Sequence, residues 1–240
     1  MKVFSKNIRV SLSGLIFAIL VLILIVSIIL YLRIGNSNSI WGTVIGSLAA
    51  GMIVAIIQFI IAWNDYKQTE KYKELRLIEV LLNRAKRNKY EDFIKNTSRN
   101  LDIMGVTACR FFNDFADTSK GAPDNATVLL QALDRGVQVR VLLPANEYLP
   151  ASKRTDSEKV KNKYEELSHR YNNISIKYFE HSAAHSIFRI DDTCIIGPVF
   201  PELESRNTPA LHVMKSSPIA LKYMDYFESE WKKAKNSQDA

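Results

Sequence analysis

The sequence predicts a mixed α/β domain, its sheet mainly parallel with helices on both faces, preceded by a transmembrane helical hairpin. Two uncharged apolar stretches predict the hairpin: residues 10–32 contain no charged side chain, and after Arg33 none returns until Asp65. Strand-like apolar runs alternating with longer polar, helix-like segments beyond residue 100 predict the sheet. The expected organisation is an anchor at 1–65, a helical connector at 66–89 and one cytosolic domain at 90–240.

The first apolar stretch has 23 residues, enough at about 1.5 Å per residue to cross a hydrocarbon core of roughly 30 Å. The second, from about Ile40 to Trp63, is equally long. Lys2, Lys6 and Arg9 resemble the basic end of a signal peptide, but the apolar run is too long and no small-residue cleavage site precedes the second span. Those three residues, with Lys67, Lys71, Lys73 and Arg76 beyond the second span, put both termini in the cytoplasm and the Arg33–Ser39 loop outside. The expected location is a bacterial inner membrane, with the lipid bilayer as first partner.

The formal net charge is +7. Residues 1–66 hold four Lys/Arg and one Asp/Glu, leaving 28 basic against 24 acidic residues in the remainder. Much of the basicity is therefore topology signal and juxtamembrane charge, suited to anionic headgroups. A nucleic-acid partner is not expected, since that would need a denser basic patch. Cys109 and Cys194 are the two cysteines, each alone, which argues against a disulfide framework and fits a reduced compartment.

Gly42, Gly46 and Ala50 recur every four residues in the second span and place small side chains on one helix face. Such a face packs closely on another helix, either the first span or another copy in a homo-oligomer, dimer or higher. Gln58 is the one strongly polar side chain deep in either span. It can bond across helices but does not make a pore. From Tyr66 to Arg87 there is no Gly or Pro, and Leu75, Ile78, Leu82 and Ala85 follow a helical apolar spacing, so the second span is expected to continue as an amphipathic helix.

Beyond the connector, 101–106 and 137–143 read as buried strands flanking a helix at 124–135 closed by Gly136. A long polar helix at 156–171 leads to a strand at 174–179. Short strands follow near 186–190, 193–196 and 210–214, then a closing helix at about 218–234. The late hairpin predicts a mixed edge to the sheet.

The order NLDIMGV, LDRGVQVRVLL, ISIKYF, HSIFRIDDTCIIGP and YFESEWKKA resembles one half of the phospholipase D-like fold, over roughly residues 90–234. The resemblance implies a signature H-x-K-x4-D followed by a Gly-Ser pair, two copies of which meet at one active site. In that family a histidine attacks phosphorus, a second histidine protonates the leaving group, and the lysines hold phosphate oxygens. His185 and Asp192 stand at the matching separation. Ile187 occupies the lysine position, Gly197 falls two residues early, and Pro198 stands where the serine belongs.

Arg189 shares a strand face with His185 and is the candidate replacement for the lysine. If the site is active, the catalytic set is His185 as nucleophile, Arg189 as phosphate clamp and Asp192 orienting the histidine, completed by a second chain as a dimeric phosphodiesterase acting on phospholipid or nucleic acid. The segment also looks like degenerate phospholipase D-like domains on bacterial regulators and defence proteins, in which the site binds rather than cuts. That non-catalytic reading is preferred. It makes His185, Arg189, Asp191, Asp192, His212 and Arg140 the ligand-binding candidates, with a nucleotide or other phosphate-containing molecule as ligand, a signal passed through the membrane helices, and a role as a phage-defence or stress effector. Asp191 and Asp192 can equally build a turn. No cofactor and no metal are expected. His169 and His181 read as surface histidines, there is no Gly-rich phosphate loop or nucleophile elbow, and neither cysteine has an activating partner.

Overall fold

The computed structural model describes residues 12–34, 40–200 and 202–236. Lys2, Lys6 and Arg9, on which the expected orientation rests, and most of the short loop between the spans lie outside the described residues. The chain divides into two compact units, residues 1–71 and 72–240.

In the first unit, helix α1 spans Leu12–Ile34 and is followed by α2, Ile40–Glu74. Both are long and apolar enough to cross a membrane. Phe17 stacks on Phe59 with ring centroids 5.7 Å apart, and a side chain added at Gly46 would meet the Tyr31 ring at 3.4 Å. Gly46 thus lies against α1 and Gly42 is buried, whereas Ala50 is exposed and its neighbour Ala49 is half-buried. The drift follows from 3.6 residues per turn, which rotates a strict four-residue repeat off its face.

In the second unit the expected helical connector ends early. α2 stops at Glu74, Arg76 takes a left-handed φ of 49°, and Leu77–Leu81 form strand β1. The spacing of Leu75, Ile78 and Leu82 suits a helix, but LIEVL is also a short apolar run of strand length, and pairing with β7 (Ala210–Met214) decides between them. Two helices absent from the sequence reading follow: α3, Arg87–Asn96, and α4, Cys109–Phe115.

The remaining elements are β2 (Asn100–Met104), α5 (Val128–Asp134), β3 (Gln138–Pro144), α6 (Ala151–Ser168), β4 (Ile174–Phe179), β5 (His185–Ile190), β6 (Thr193–Pro198), α7 (Pro218–Lys233) and β8 (Lys235–Asn236). α5 stops where Gly136 adopts φ 86°, a conformation that costs glycine nothing. α7 starts with the Ser217 hydroxyl accepting from the Ile219 amide and Pro218 in the first turn.

Among the described residues eight strands form one mixed sheet in the order β1-β7-β6-β5-β2-β3-β4-β8. The α/β class and the helices on both faces are as expected, but the sheet is mostly antiparallel. Among the described residues only the β2–β3 and β3–β4 pairings are parallel, because helical crossovers join just those strands. A two-residue turn joins β5 to β6, a longer connection brings β7 back antiparallel to β6, and β5 docks antiparallel on β2. One face buries Leu101, Val139, Val141, Ile176, Phe188 and Ile195 against α3 to α6. The other buries Met104, Leu142, Ile187, Cys194 and Ile196 against Met224 and Phe227 of α7.

Candidate functional site

Period-two alternation along β5 sends His185, Ile187 and Arg189 to the α7 face, as expected. What lies there is closed. Ile187 is 0% exposed within the apolar cluster beneath α7. The His185 ring meets Tyr223 and Tyr226 edge-on at 5.2 and 5.3 Å, and its buried Nδ1 has no hydrogen-bond partner.

Arg189 donates to Asp102 Oδ2 at 2.6 Å, and Asp102 is 1% exposed. Arg140 on β3 takes the same carboxylate in a fork, Nε to Oδ1 at 2.7 Å and NH2 to Oδ2 at 2.9 Å, and continues to Glu228 on α7. Its guanidinium lies 4.9 Å from the Phe227 ring and 5.3 Å from that of Trp231. Burial works against the charge on Arg140, yet the bonds to Asp102 and Glu228 outweigh it and raise its pKa; Glu228 is correspondingly held low by Arg140. The convergence of Arg140 and Arg189 is therefore a buried ionic tie between sheet and α7, with Asp102 as its centre.

Asp191 and Asp192 sit at the β5–β6 turn, roughly 20 Å from His185 at 3.3 Å per residue. Asp191, at φ 44°, accepts from the amides of Ser98, Arg99 and Asn100 at 2.9, 3.0 and 2.8 Å. Burial would raise its pKa, but these bonds hold it below the ordinary carboxylate range. Asp192 is exposed and pairs with Arg99 at 2.5 Å. It does not orient His185, because the strand that spaces the motif in sequence also holds its two ends apart.

His212 does not share a pocket with His185. It is buried on the opposite face, edge-on to Phe93 at 5.1 Å, with both ring nitrogens unpartnered. Burial pushes its pKa down, so the ring is held neutral. Strand β7 pairs His212 with Ile195, a residue of the α3–α6 face, and so fixes the side to which it turns. Burial also pushes the Cys194 thiol up to about 11, the inert state of a core cysteine. Among the described residues no group of three His, Cys, Asp or Glu is placed to hold a metal ion.

Gly197 has a packing role of its own. A Cβ there would lie 2.7 Å from the Pro209 carbonyl oxygen and 3.2 Å from Ala210 Cα, both backbone atoms that cannot rotate away. Gly197→Ala is expected to cost about 1–3 kcal/mol, read as a lowered midpoint in thermal unfolding; an unchanged midpoint would contradict the close β6–β7 approach.

A cavity of about 290 Å³ opens elsewhere, at the carboxyl ends of β2 and β3 on the α3–α6 side. His185 does not line it; Arg84 does, from the link between β1 and α3. Arg84 is 7% exposed and donates to Ser186 Oγ at 2.5 Å, to Thr208 Oγ1 and to the Pro198 carbonyl oxygen at 3.4 Å. Its buried Nε has no partner, and burial lowers its pKa. Within the expected helical connector, Arg84 carries no sequence signal of burial; the run NRAKRNK marks only its charge.

No family model matches the sequence, and no curated protein matches it. Similar solved structures include Nuc from Salmonella typhimurium, a phospholipase D family member, at 14% identity over 62% of this chain and 89% of that one, TM-score 0.41. NucT from Helicobacter pylori is 12% identical over 62% and 89% of the two chains, TM-score 0.40. TrmBL2, an archaeal chromatin protein, is 12% identical over 80% and 69%, TM-score 0.43. At these values the likeness carries no residue's role across to this chain.

Proposed function

We propose that this chain is a membrane-anchored, non-catalytic phospholipase D-like domain that binds a phosphate-containing ligand. The observation that carries the reading is Ile187. The position at which the resemblance calls for a phosphate-holding lysine is filled by a fully buried aliphatic residue in the α7 core. Its nominated substitute, Arg189, is committed to Asp102. Phosphoryl transfer depends on positioned positive charge around the phosphate oxygens, and none of the residues beside His185 on β5 offers it.

A bacterial inner-membrane location with both termini cytoplasmic, assembly as a homo-oligomer, and a role as a phage-defence or stress effector complete the proposal. Chain connectivity supports a signalling role: Arg84, on the wall of the cavity, follows the end of α2 at Glu74 by ten residues. The expected result is that full-length protein in lipid nanodiscs turns over bis-p-nitrophenyl phosphate no faster than its His185→Ala variant, both at background. Turnover by wild type that His185→Ala abolishes would instead establish the dimeric phosphodiesterase acting through His185.

A further inference from the structure

Three guanidinium groups withdrawn from water in the second unit, buried Arg84 and Arg189 and half-buried Arg140, are treated differently. Arg140 and Arg189, on the α7 face, share the carboxylate of Asp102. Arg84, on the other side of the sheet, has neutral partners throughout: two hydroxyls and a carbonyl. Burying a charge without a counter-charge is costly, and Arg84 lines a cavity rather than packed core.

The rest of that wall is also short of negative charge. Four basic side chains line it, Arg84, Arg87, Arg110 and Lys153, against two acidic ones, Asp114 and Glu204. Asp114 is taken by Arg110 at 3.2 Å, and Glu204 by Arg206. Among the described residues, Arg84, Arg87 and Lys153 have no carboxylate partner. The 18-residue helix α6 begins at the same cavity with Pro150 at its cap, no side-chain capping bond and no acidic residue in its first turn, so its N-terminal dipole adds to the positive field. The remaining walls combine hydroxyl side chains such as Thr107 and Ser205 with aromatic and aliphatic ones, Tyr90, Phe111 and Phe188 among them, and Phe200 and Leu203 are exposed.

We infer that this cavity is a binding site for a small phosphomonoester bearing an apolar or planar body, its phosphate seated on Arg84 and its body against Tyr90, Phe111 and Phe188. The site gives the proposed ligand a place on the face of the sheet opposite His185. Guanidinium supplies the planar donors that phosphate takes, and the bound anion is the counter-charge that Arg84 lacks. A nucleoside monophosphate and a lipid-derived alkyl phosphate share this chemistry.

The test is calorimetric titration of the full chain in phosphatidylcholine nanodiscs with phenyl phosphate, hexyl phosphate and adenosine monophosphate, with phenol as the uncharged control. Saturable binding of at least one phosphate probe is expected, with phenol not binding. Tighter binding of the adenosine or of the hexyl compound assigns the source. Arg84→Met should weaken binding roughly tenfold or more, the scale of a lost charge-assisted hydrogen bond. Because Arg84 also holds Ser186 and Thr208, a second variant keeps the test independent of folding. A Cβ at Gly105, on the cavity wall, would meet nothing within 4 Å, so Gly105→Leu should fill the space and abolish binding while leaving the Arg84 bonds intact. The inference is overturned if no phosphate probe binds, or if both variants bind as wild type does. Loss of binding in His185→Ala but in neither of these variants would move the ligand to the α7 face, leaving the ligand-binding proposal intact and this site refuted.

Discussion

Replacement of Asp102 by alanine is expected to lower the stability of the second unit by about 3–5 kcal/mol, the usual cost of removing one partner from a buried ion pair. The side chain is 1% exposed and receives three short bonds from two guanidinium groups. Without it Arg189 is left beneath α7 with no carboxylate, while Arg140 keeps Glu228. For a unit of this size the loss corresponds to a fall of roughly 6–20 °C in the unfolding midpoint. The double variant Asp102→Leu with Arg189→Met should recover part of it, since a buried pair exchanged for apolar groups of similar volume is often neutral. Scanning calorimetry of the two variants measures both effects. A drop under about 1 kcal/mol for Asp102→Ala would show that the network is not what ties β2, β3, β5 and α7 together.

Phe227→Ala is expected to cost a further large amount, about 3–5 kcal/mol as for other fully buried aromatics. Phe227 is 0% exposed at the centre of the cluster between α7 and the sheet. Its ring also lies under the Arg140 guanidinium and stacks on Trp231 at 5.9 Å. The truncation therefore removes apolar packing and opens the ionic tie to water in one step. Phe227→Leu, which keeps most of the volume, should cost under about 1.5 kcal/mol, plus what the cation–π contact contributes. Urea unfolding midpoints separate the two variants; equal losses would mean that packing volume plays little part at this position.

The two predictions concern residues that the sequence presents very differently. Phe227 is one of several apolar residues, with Met224 and Trp231, in the expected closing helix. Asp102 is one letter inside LDIMGV, and nothing local marks its carboxylate as the partner of arginines 38 and 87 residues away. Arg140 and Arg189 could be nominated from their strands, but a cation on a buried strand reads the same whether it awaits a ligand or already holds a counter-ion. Only the register of β2 against β3 and β5, which sets Asp102 opposite both Arg140 and Arg189, separates the two cases.

His185 and His212 teach the same lesson about faces. Alternation within a strand is a local property and correctly put His185 with Arg189. Relating β5 to β7 needs the intervening strand and its pairings, and these turn His212 to the other side of the sheet. The stretch at 75–82 suits a helical spacing and is also a strand-length apolar run, and pairing with β7 resolved the ambiguity in favour of a strand. Arg84, within the expected helical connector, stands instead on a cavity wall.

By itself the sequence determined the two apolar spans, the alternation of strands and helices and the closing helix, because each is written in composition or short-range periodicity. The tertiary structure decided the antiparallel majority of the sheet, the spending of Arg140 and Arg189 on Asp102, the separation of His185 from Asp192 and His212, and the uncompensated charge of Arg84. Those depend on which distant strands pair and which side chains are thereby deprived of water, and no local pattern encodes either.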